Sequence, residues 1–217
     1  MRYEFPQRVI RFVFVCGGPL LWGCTGPQVA VKRGFDFSKV HRVGVISFGG
    51  QGGDVASDLL AHALLANGVD LVERERIDEV LKERRLKAEG VFDSTSLNSI
   101  RKVLGVDALF VGSVTEYRPP ESYLVYTGAT AITRKATPIK GRSLYPQGTP
   151  SGVPDSSILT SAAAVGLSCR MVDVETGSVV WSAHESYEGI DLETAIQFLT
   201  ESFVQSLRPF WPTLSRK

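Results

Sequence analysis

The sequence predicts an α/β (α+β) fold in which helices pack on a single mixed sheet. Strand-like and helix-like runs alternate over residues 39–117, and two strands joined by a tight turn, then an amphipathic helix, close the chain. A length of 217 residues with 43% hydrophobic content is enough to bury a core without disulfides or metal ions. The three cysteines lack metal-ligand spacing, and a net charge of +1 gives no sign of nucleic-acid binding.

The N-terminus predicts an export signal rather than a part of the fold. Three arginines precede an apolar stretch over residues 12–22, which is shorter than the roughly 20 residues of a spanning helix. Gly23-Cys24 resembles the lipobox of bacterial lipoproteins, although Trp22 departs from that motif, and a plain secretory signal is the alternative. We predict removal of residues 1–23, lipid attachment at Cys24, and location on the periplasmic face of the outer membrane.

The folded domain is expected over residues 39–208, after a tether at residues 24–38 that contains glycine and proline. Asp54 and Ser94 are the predicted helix N-caps, and Gly68 is placed to end the first helix. The patterns predict, in chain order, a strand over 39–48, a helix over 54–67, a strand over 69–72, helices over 74–85 and 94–104, and a buried strand over 107–117.

Residues 119–160 form an insertion that is expected to be a long, water-exposed loop, since six of the eleven prolines lie there. Two strands, over 161–174 and 179–183, should then pair as a hairpin.

The last helix is expected to begin after Asp191 and to end at Pro209, leaving residues 209–217 as a tail. Its apolar positions recur at helical spacing, so one face should be buried against the sheet. The predicted core residues are Leu199 and Phe203 of this helix and Phe110 and Val111 of the central strand.

Catalytic, metal and cofactor sites have little support in the sequence. The three histidines, His41, His62 and His184, belong to no catalytic or metal-binding motif, and Cys169 is expected to be a buried free thiol. The glycine-rich loop at 49–53 precedes a helix and could hold an anion, but it lacks the lysine of a P-loop, and Asp54 opposes phosphate. We therefore predict a flexible connection there, no cofactor and no enzyme activity.

Three segments carry a resemblance to a known family. They are VERERIDEVLKE at 72–83, SIRKVLGVDALFVGSVT at 99–115 and CRMVDVETGSVVW at 169–181. In order and spacing they resemble the CsgG family of bacterial lipoproteins, whose relatives include the curli secretion channel subunit and LpoB. The resemblance implies a periplasmic α/β domain like the N-terminal domain of TolB.

The predicted function is a protein-binding accessory or assembly factor in envelope biogenesis or secretion, with envelope proteins as partners and self-association as a further expectation. The alternative is a subunit of a CsgG-type secretion channel that uses the insertion as its membrane element. Channel members have two membrane hairpins per subunit, and residues 182–190 leave too little chain for the second. The charged run at 73–85 is interpreted as a solvated helix face, with contact to neighbouring subunits as the alternative.

Overall fold

The fold is built around a six-stranded mixed sheet. The structure, a computed structural model, describes residues 26–83, 94–126, 144–148 and 156–215. The strands are β1 (Gln28–Val31), β2 (Arg42–Val45), β3 (Asp70–Val72), β4 (Ala108–Arg118), β5 (Ser122–Tyr126), β6 (Leu144–Gly148), β7 (Ser156–Ser161), β8 (Ala163–Asp173) and β9 (Val179–Gly189). The helices are α1 (Gly53–Ala66), α2 (Arg74–Glu83), α3 (Ser94–Leu104) and α4 (Leu192–Leu207).

The order of strands in this sheet is β1-β9-β8-β4-β2-β3. β2 lies parallel to β3 and β4, whereas β4, β8, β9 and β1 are successive antiparallel neighbours. The parallel half needs crossover connections, which the helices supply, and the antiparallel half needs only short turns. The predicted fold class, helices packed on a mixed sheet, is confirmed.

Helices cover both faces of the parallel half of the sheet. One core lies between the sheet and helices α1 and α4, where Phe110, Trp181 and Phe203 pack together. A second core lies on the opposite face, beneath α2 and α3, and contains Ile77 and Leu109. All four predicted core residues are buried, which confirms the interpretation of the last helix and the central strand.

The residue at the N-cap explains where α4 and α1 begin. The Asp191 carboxylate accepts a hydrogen bond from the backbone N–H of Thr194 and so caps α4, as predicted. The predicted cap of α1 is wrong, because that helix already includes Asp54 in its first turn. Its N-cap is Gly52, whose φ of 78° lies in the left-handed region that glycine adopts readily.

The insertion differs most from its prediction as a loop. β5, β7 and β6 form a separate antiparallel sheet in that order, called here the insertion sheet. Pro146 lies within β6, an edge strand of this sheet, which is a position where proline is tolerated. Proline richness therefore does not exclude strands here. Residues 127–143 and 149–155 of the insertion lie outside the described residues.

Two further differences from the predictions concern β1 and β9, at the antiparallel edge of the six-stranded sheet. The expected tether contains β1, whose residues 28–31 pair with 181–184 of β9. β9 itself continues to Gly189, beyond the predicted strand end at 183, and pairs with β8 along its whole length. Residues 182–190, predicted to be too few for a second membrane hairpin, are thus part of the main sheet as far as Gly189.

Candidate interaction surfaces

The described chain begins shortly after the predicted lipid attachment site. Cys24 lies outside the described residues, so lipid attachment stays a prediction. Gly26 lies in a shallow depression that is also lined by Tyr187 of β9 and Phe198 of α4. Among the described helices, none is long and apolar enough to cross a lipid bilayer.

The glycine-rich loop before α1 is packed against β4 rather than open to a ligand. Gly49 donates its N–H to the carbonyl of Gly112 and accepts from the N–H of Val114, at 3.0 and 2.8 Å, which prolongs the pairing of β2 with β4. A Cβ on Gly53 would overlap the carbonyl oxygen of Phe48. The glycines permit this close approach, so the loop is a connection between β2 and α1 that packs against β4, and its predicted flexibility stays a prediction.

Acidic residues and an arginine occupy the surface at the start of α1. Arg74 Nη1 lies 2.9 Å from Asp58 Oδ1 and 4.0 Å from Asp54 Oδ1, and it donates a hydrogen bond of 2.9 Å to Ser57 Oγ. These contacts join α2 to α1. They also place carboxylates where a phosphate would need donors, which opposes anion binding there.

The histidines and the cysteine are not brought together. His41, His62 and His184 are exposed and lie before β2, in α1 and in β9. Cys169 is buried in β8, and burial raises the pKa of its thiol because the thiolate would lose its hydration. Within the described part of the chain, no three His, Cys, Asp or Glu residues are grouped as a metal site.

The charged run after β3 forms α2, with an exposed face and a buried one. Ile77 and Val80 are buried against the second core, whereas Glu75 and Arg76 are exposed. The side chain of Leu81, expected to face inward, lies outside those described. A solvated charged face is therefore present over the described part of the helix, and its contact with a neighbouring subunit stays a prediction.

On the face of the sheet opposite α4, the described parts of β8 and β9 that lie beyond the second core carry mainly polar side chains. Side chains alternate along these strands, so the neighbours of the buried Leu167, Cys169 and Ala183 point away from α4. We call this surface the open face; its residues include Ser113, Ser168, Arg170, Ser182, His184 and Ser186. On this face Gly166 of β8 lies close to Thr115 of β4. A side chain at residue 166 would not fit, because its Cβ would lie 2.6 Å from Thr115 Oγ1.

The insertion sheet leaves the main sheet at one end, called here the insertion end. β4 finishes there, β8 begins, and β9 finishes, since Ala163 pairs with Gly189 and Ala164 with Arg118. The two sides of the insertion meet at its base. The N–H of Ser161 donates to the carbonyl of Glu121 at 2.8 Å, and the N–H of Glu121 donates to Ser161 Oγ at 2.9 Å.

Apolar side chains are exposed at the same end. The rings of Tyr187 and Phe198 stack with centroids 4.0 Å apart, and Phe198 remains 42% exposed. Ile190, in the turn between β9 and α4, is 79% exposed. We call Tyr187, Ile190 and Phe198 the apolar patch. The sequence does not predict this patch. Phe198 lies in a helix whose other apolar residues are predicted to be core, and Ile190 precedes the predicted N-cap of that helix.

Several solved structures are similar in fold. The PelC dodecamer from Paraburkholderia phytofirmans is 17% identical, with 81% of this chain and 96% of that chain covered and a TM-score of 0.43. The LpoB C-terminal domain from Salmonella enterica is 13% identical, with 72% and 87% covered and a TM-score of 0.39. Lipoprotein GNA1162 from Neisseria meningitidis is 17% identical, with 77% and 98% covered and a TM-score of 0.41.

The family assignment comes from the sequence itself. No curated protein matches the chain significantly. The family model described as curli production assembly/transport component CsgG, however, matches residues 26–197, which include β1 to β9 and the first part of α4. This match covers well over half of the 217 residues and confirms the predicted resemblance. The chain belongs to the CsgG family.

Proposed function

We propose that this protein is a lipid-anchored lipoprotein on the periplasmic face of the outer membrane, where it binds envelope proteins as an accessory or assembly factor. Membership of a family described by curli assembly and transport supports a role in the envelope. The observation that carries the proposal is the insertion sheet, which leaves one end of a closely packed domain and takes no part in its six-stranded sheet. Binding residues are commonly carried on such excursions from a rigid scaffold.

The proposal assigns no chemistry to the protein itself. Its histidines lie before β2, in α1 and in β9, its described cysteine is buried, and the start of α1 carries carboxylates. A catalytic group must lie within hydrogen-bond reach of its partners and of a substrate, which these placements do not offer. Function then rests on surfaces, and the insertion sheet and the open face are two candidates that lie outside both cores.

The lipid anchor is tested by metabolic labelling with a fatty-acid analogue. Wild-type protein should be labelled and Cys24→Ser should not, because an acylated cysteine is the only covalent attachment proposed. A Cys169→Ser variant is the matched control and should be labelled like the wild type, since that thiol is buried. Equal labelling of Cys24→Ser and wild type would show that the lipobox was misinterpreted.

Partner binding is tested by removing the insertion at its hydrogen-bonded base. Glu121 and Ser161 are already adjacent, so residues 122–160 can be replaced by Asn-Gly, which favours a two-residue turn. The shortened protein should keep its thermal unfolding transition and lose the envelope proteins that cross-linking captures from intact cells. Leu65→Ser, an exposed change on α1, should alter neither property.

Retention of all cross-linked partners by the shortened, folded protein would contradict the role of the insertion. The same experiment reports self-association, which would appear as cross-links between two copies of the chain. The family description also supports a second candidate, a subunit of a secretion channel. The two functions differ in whether the purified protein conducts ions.

A further inference from the structure

Followed back from Gln28, the described chain leads toward the insertion end. β1 runs antiparallel to β9, with Gln28 opposite His184, so residues before Gln28 lead toward the end of β9 at Gly189. Gly26 already lies beside Tyr187 and Phe198. Two peptide units span about 7 Å at most, so Cys24 cannot lie far from Gly26.

A short link between lipid and fold restricts which surface can face the bilayer. A flexible linker of many residues would let the domain tumble, whereas a link as short as this one holds one end of it at the headgroups. The apolar side chains described as exposed at that end include Ile190, at 79%, and Phe198, at 42%. Both would be removed from water if this end lay on lipid.

We propose that the apolar patch of Tyr187, Ile190 and Phe198 rests on the phospholipid bilayer that holds the Cys24 lipid. This inference rests on the proposed lipid attachment. The patch supplies the second, weaker interaction that stabilises an acylated protein on a membrane, where aromatic rings and an aliphatic side chain enter the interface. The insertion sheet starts at the same end, so its protein partner would be met close to the membrane plane.

The charges around the patch define the lipid that it fits. Glu188, Asp191 and Glu193 flank it in β9 and at the start of α4, and all three are exposed. Carboxylates are repelled by anionic headgroups, so the contact is with a zwitterionic surface. Added anionic lipid should weaken the binding rather than strengthen it.

The experiment attaches one acyl chain chemically to the protein that begins at Cys24. Cys169 is buried and its raised pKa keeps the thiol protonated, so an acyl maleimide should couple to Cys24 alone. One acyl chain gives only marginal membrane binding, so additional contacts become measurable. Partition is measured on phosphatidylcholine and phosphatidylethanolamine vesicles.

Replacing both exposed patch residues, Ile190→Ser with Phe198→Ser, should lower partition by roughly tenfold or more, since their apolar area no longer enters lipid. The matched control is Leu65→Ser with Val103→Ser, whose side chains are 62% and 56% exposed. These lie at the C-terminal ends of α1 and α3, the end opposite the patch, and should leave partition unchanged.

The single variant Ile190→Ser keeps the Tyr187–Phe198 stack, so it tests the patch even if the double variant fails to fold. It should lower partition severalfold. Equal partition of the patch and control variants, both folded by circular dichroism, would overturn the inference. Because the acyl chain is added chemically, the result does not depend on lipid attachment in cells. Failure of Cys24 labelling and failure of the patch are therefore distinguishable.

Discussion

Buried aromatic side chains join the C-terminal segment to the centre of the fold. Phe110 of β4 packs against Trp181 of β9 and Trp211 near the C-terminus, and Trp181 packs against Phe203 of α4. The indole N–H of Trp211 donates to the carbonyl of Val40 at 3.2 Å. The segment after α4, expected to be a tail from residue 209, is therefore anchored in the core, because Trp211 is fully buried.

Phe203→Ala should destabilise the protein by roughly 3–5 kcal/mol, because the fully buried ring leaves a cavity among residues that cannot collapse onto it. Phe198→Ala, in the same helix but 42% exposed, should cost about 1 kcal/mol through loss of its stack on Tyr187. Urea unfolding of the two variants measures both values. Equal midpoints would show that the helix face was misassigned.

The Asp191 cap should make α4 sensitive to acid. Hydrogen bonds from the N–H and the hydroxyl of Thr194 hold the pKa of this carboxyl below its usual value. The ionised form is thus favoured in the folded state, so its stabilisation is present above about pH 4 and is lost as pH falls through the lowered pKa.

Thermal unfolding should place Asp191→Ala below the wild type at pH 7, and the gap between their midpoints should narrow below about pH 4. Asp191→Asn is the control, since an amide caps without titrating and its gap to the alanine variant should not change with pH. A gap between wild type and alanine that stays constant down to about pH 2 would contradict the cap's titration.

Long periodic elements were predictable from their own residues. α4 has an N-cap, apolar positions at helical spacing and a proline that follows, so its limits and its buried face agree with the sequence. β9 was predicted too short because only one of its faces is covered. Beyond Ala183, the residues His184 to Glu188 are mostly polar, and pairing with β8 rather than burial fixes them as a strand.

The insertion sheet was missed for a related reason. Its described strands have five or six residues and include proline and several serines, so they show no apolar alternation. The turn residues around them suggest loops, and cross-strand pairing between distant segments leaves no local signal. The sequence of one such strand does not show which of its residues are buried, because its partner strand lies far along the chain.

Glycines around α1 allow a direct test of the packed connection. Gly50 has a φ of 90°, and a Cβ there would lie 2.7 Å from the carbonyl oxygen of Val114. Gly34 has a similar φ of 78° but open space around it, so it is the matched control. Alanine should cost about 1–2 kcal/mol at Gly34 through conformation alone and roughly 1–3 kcal/mol more at Gly50 through overlap.

Chemical unfolding of Gly34→Ala and Gly50→Ala measures this difference. A large excess at Gly50 indicates a loop that is fixed by contact with β4. Equal costs at the two positions would instead indicate a loop free to move away, which is the flexible connection that the sequence alone favoured.

At the scale of the whole molecule, one end combines the features that bear on function. Gly26, where the described chain begins, lies close to the insertion end, the insertion sheet leaves from that end, and the apolar patch is exposed there. The order of elements and the family were predictable from the sequence. The grouping of these three features at one end was not predictable, because it depends on the pairing of β1 with β9 and on where β4 and β8 start and end.

The protein is expected to act without forming a pore. Residues 182–189, which follow the tight hairpin, are paired with β8 in the main sheet. Because residues 182–189 are held in the main sheet, they do not supply the second membrane hairpin of a channel subunit, which supports the proposed accessory role.

The most direct test of an accessory rather than a channel is conductance. Purified, lipidated protein in planar bilayers should give no discrete current steps, and the variant with Asn-Gly in place of residues 122–160 should behave in the same way. Reproducible single-channel currents from the wild type that disappear in this variant would contradict the account and assign the insertion to a membrane channel.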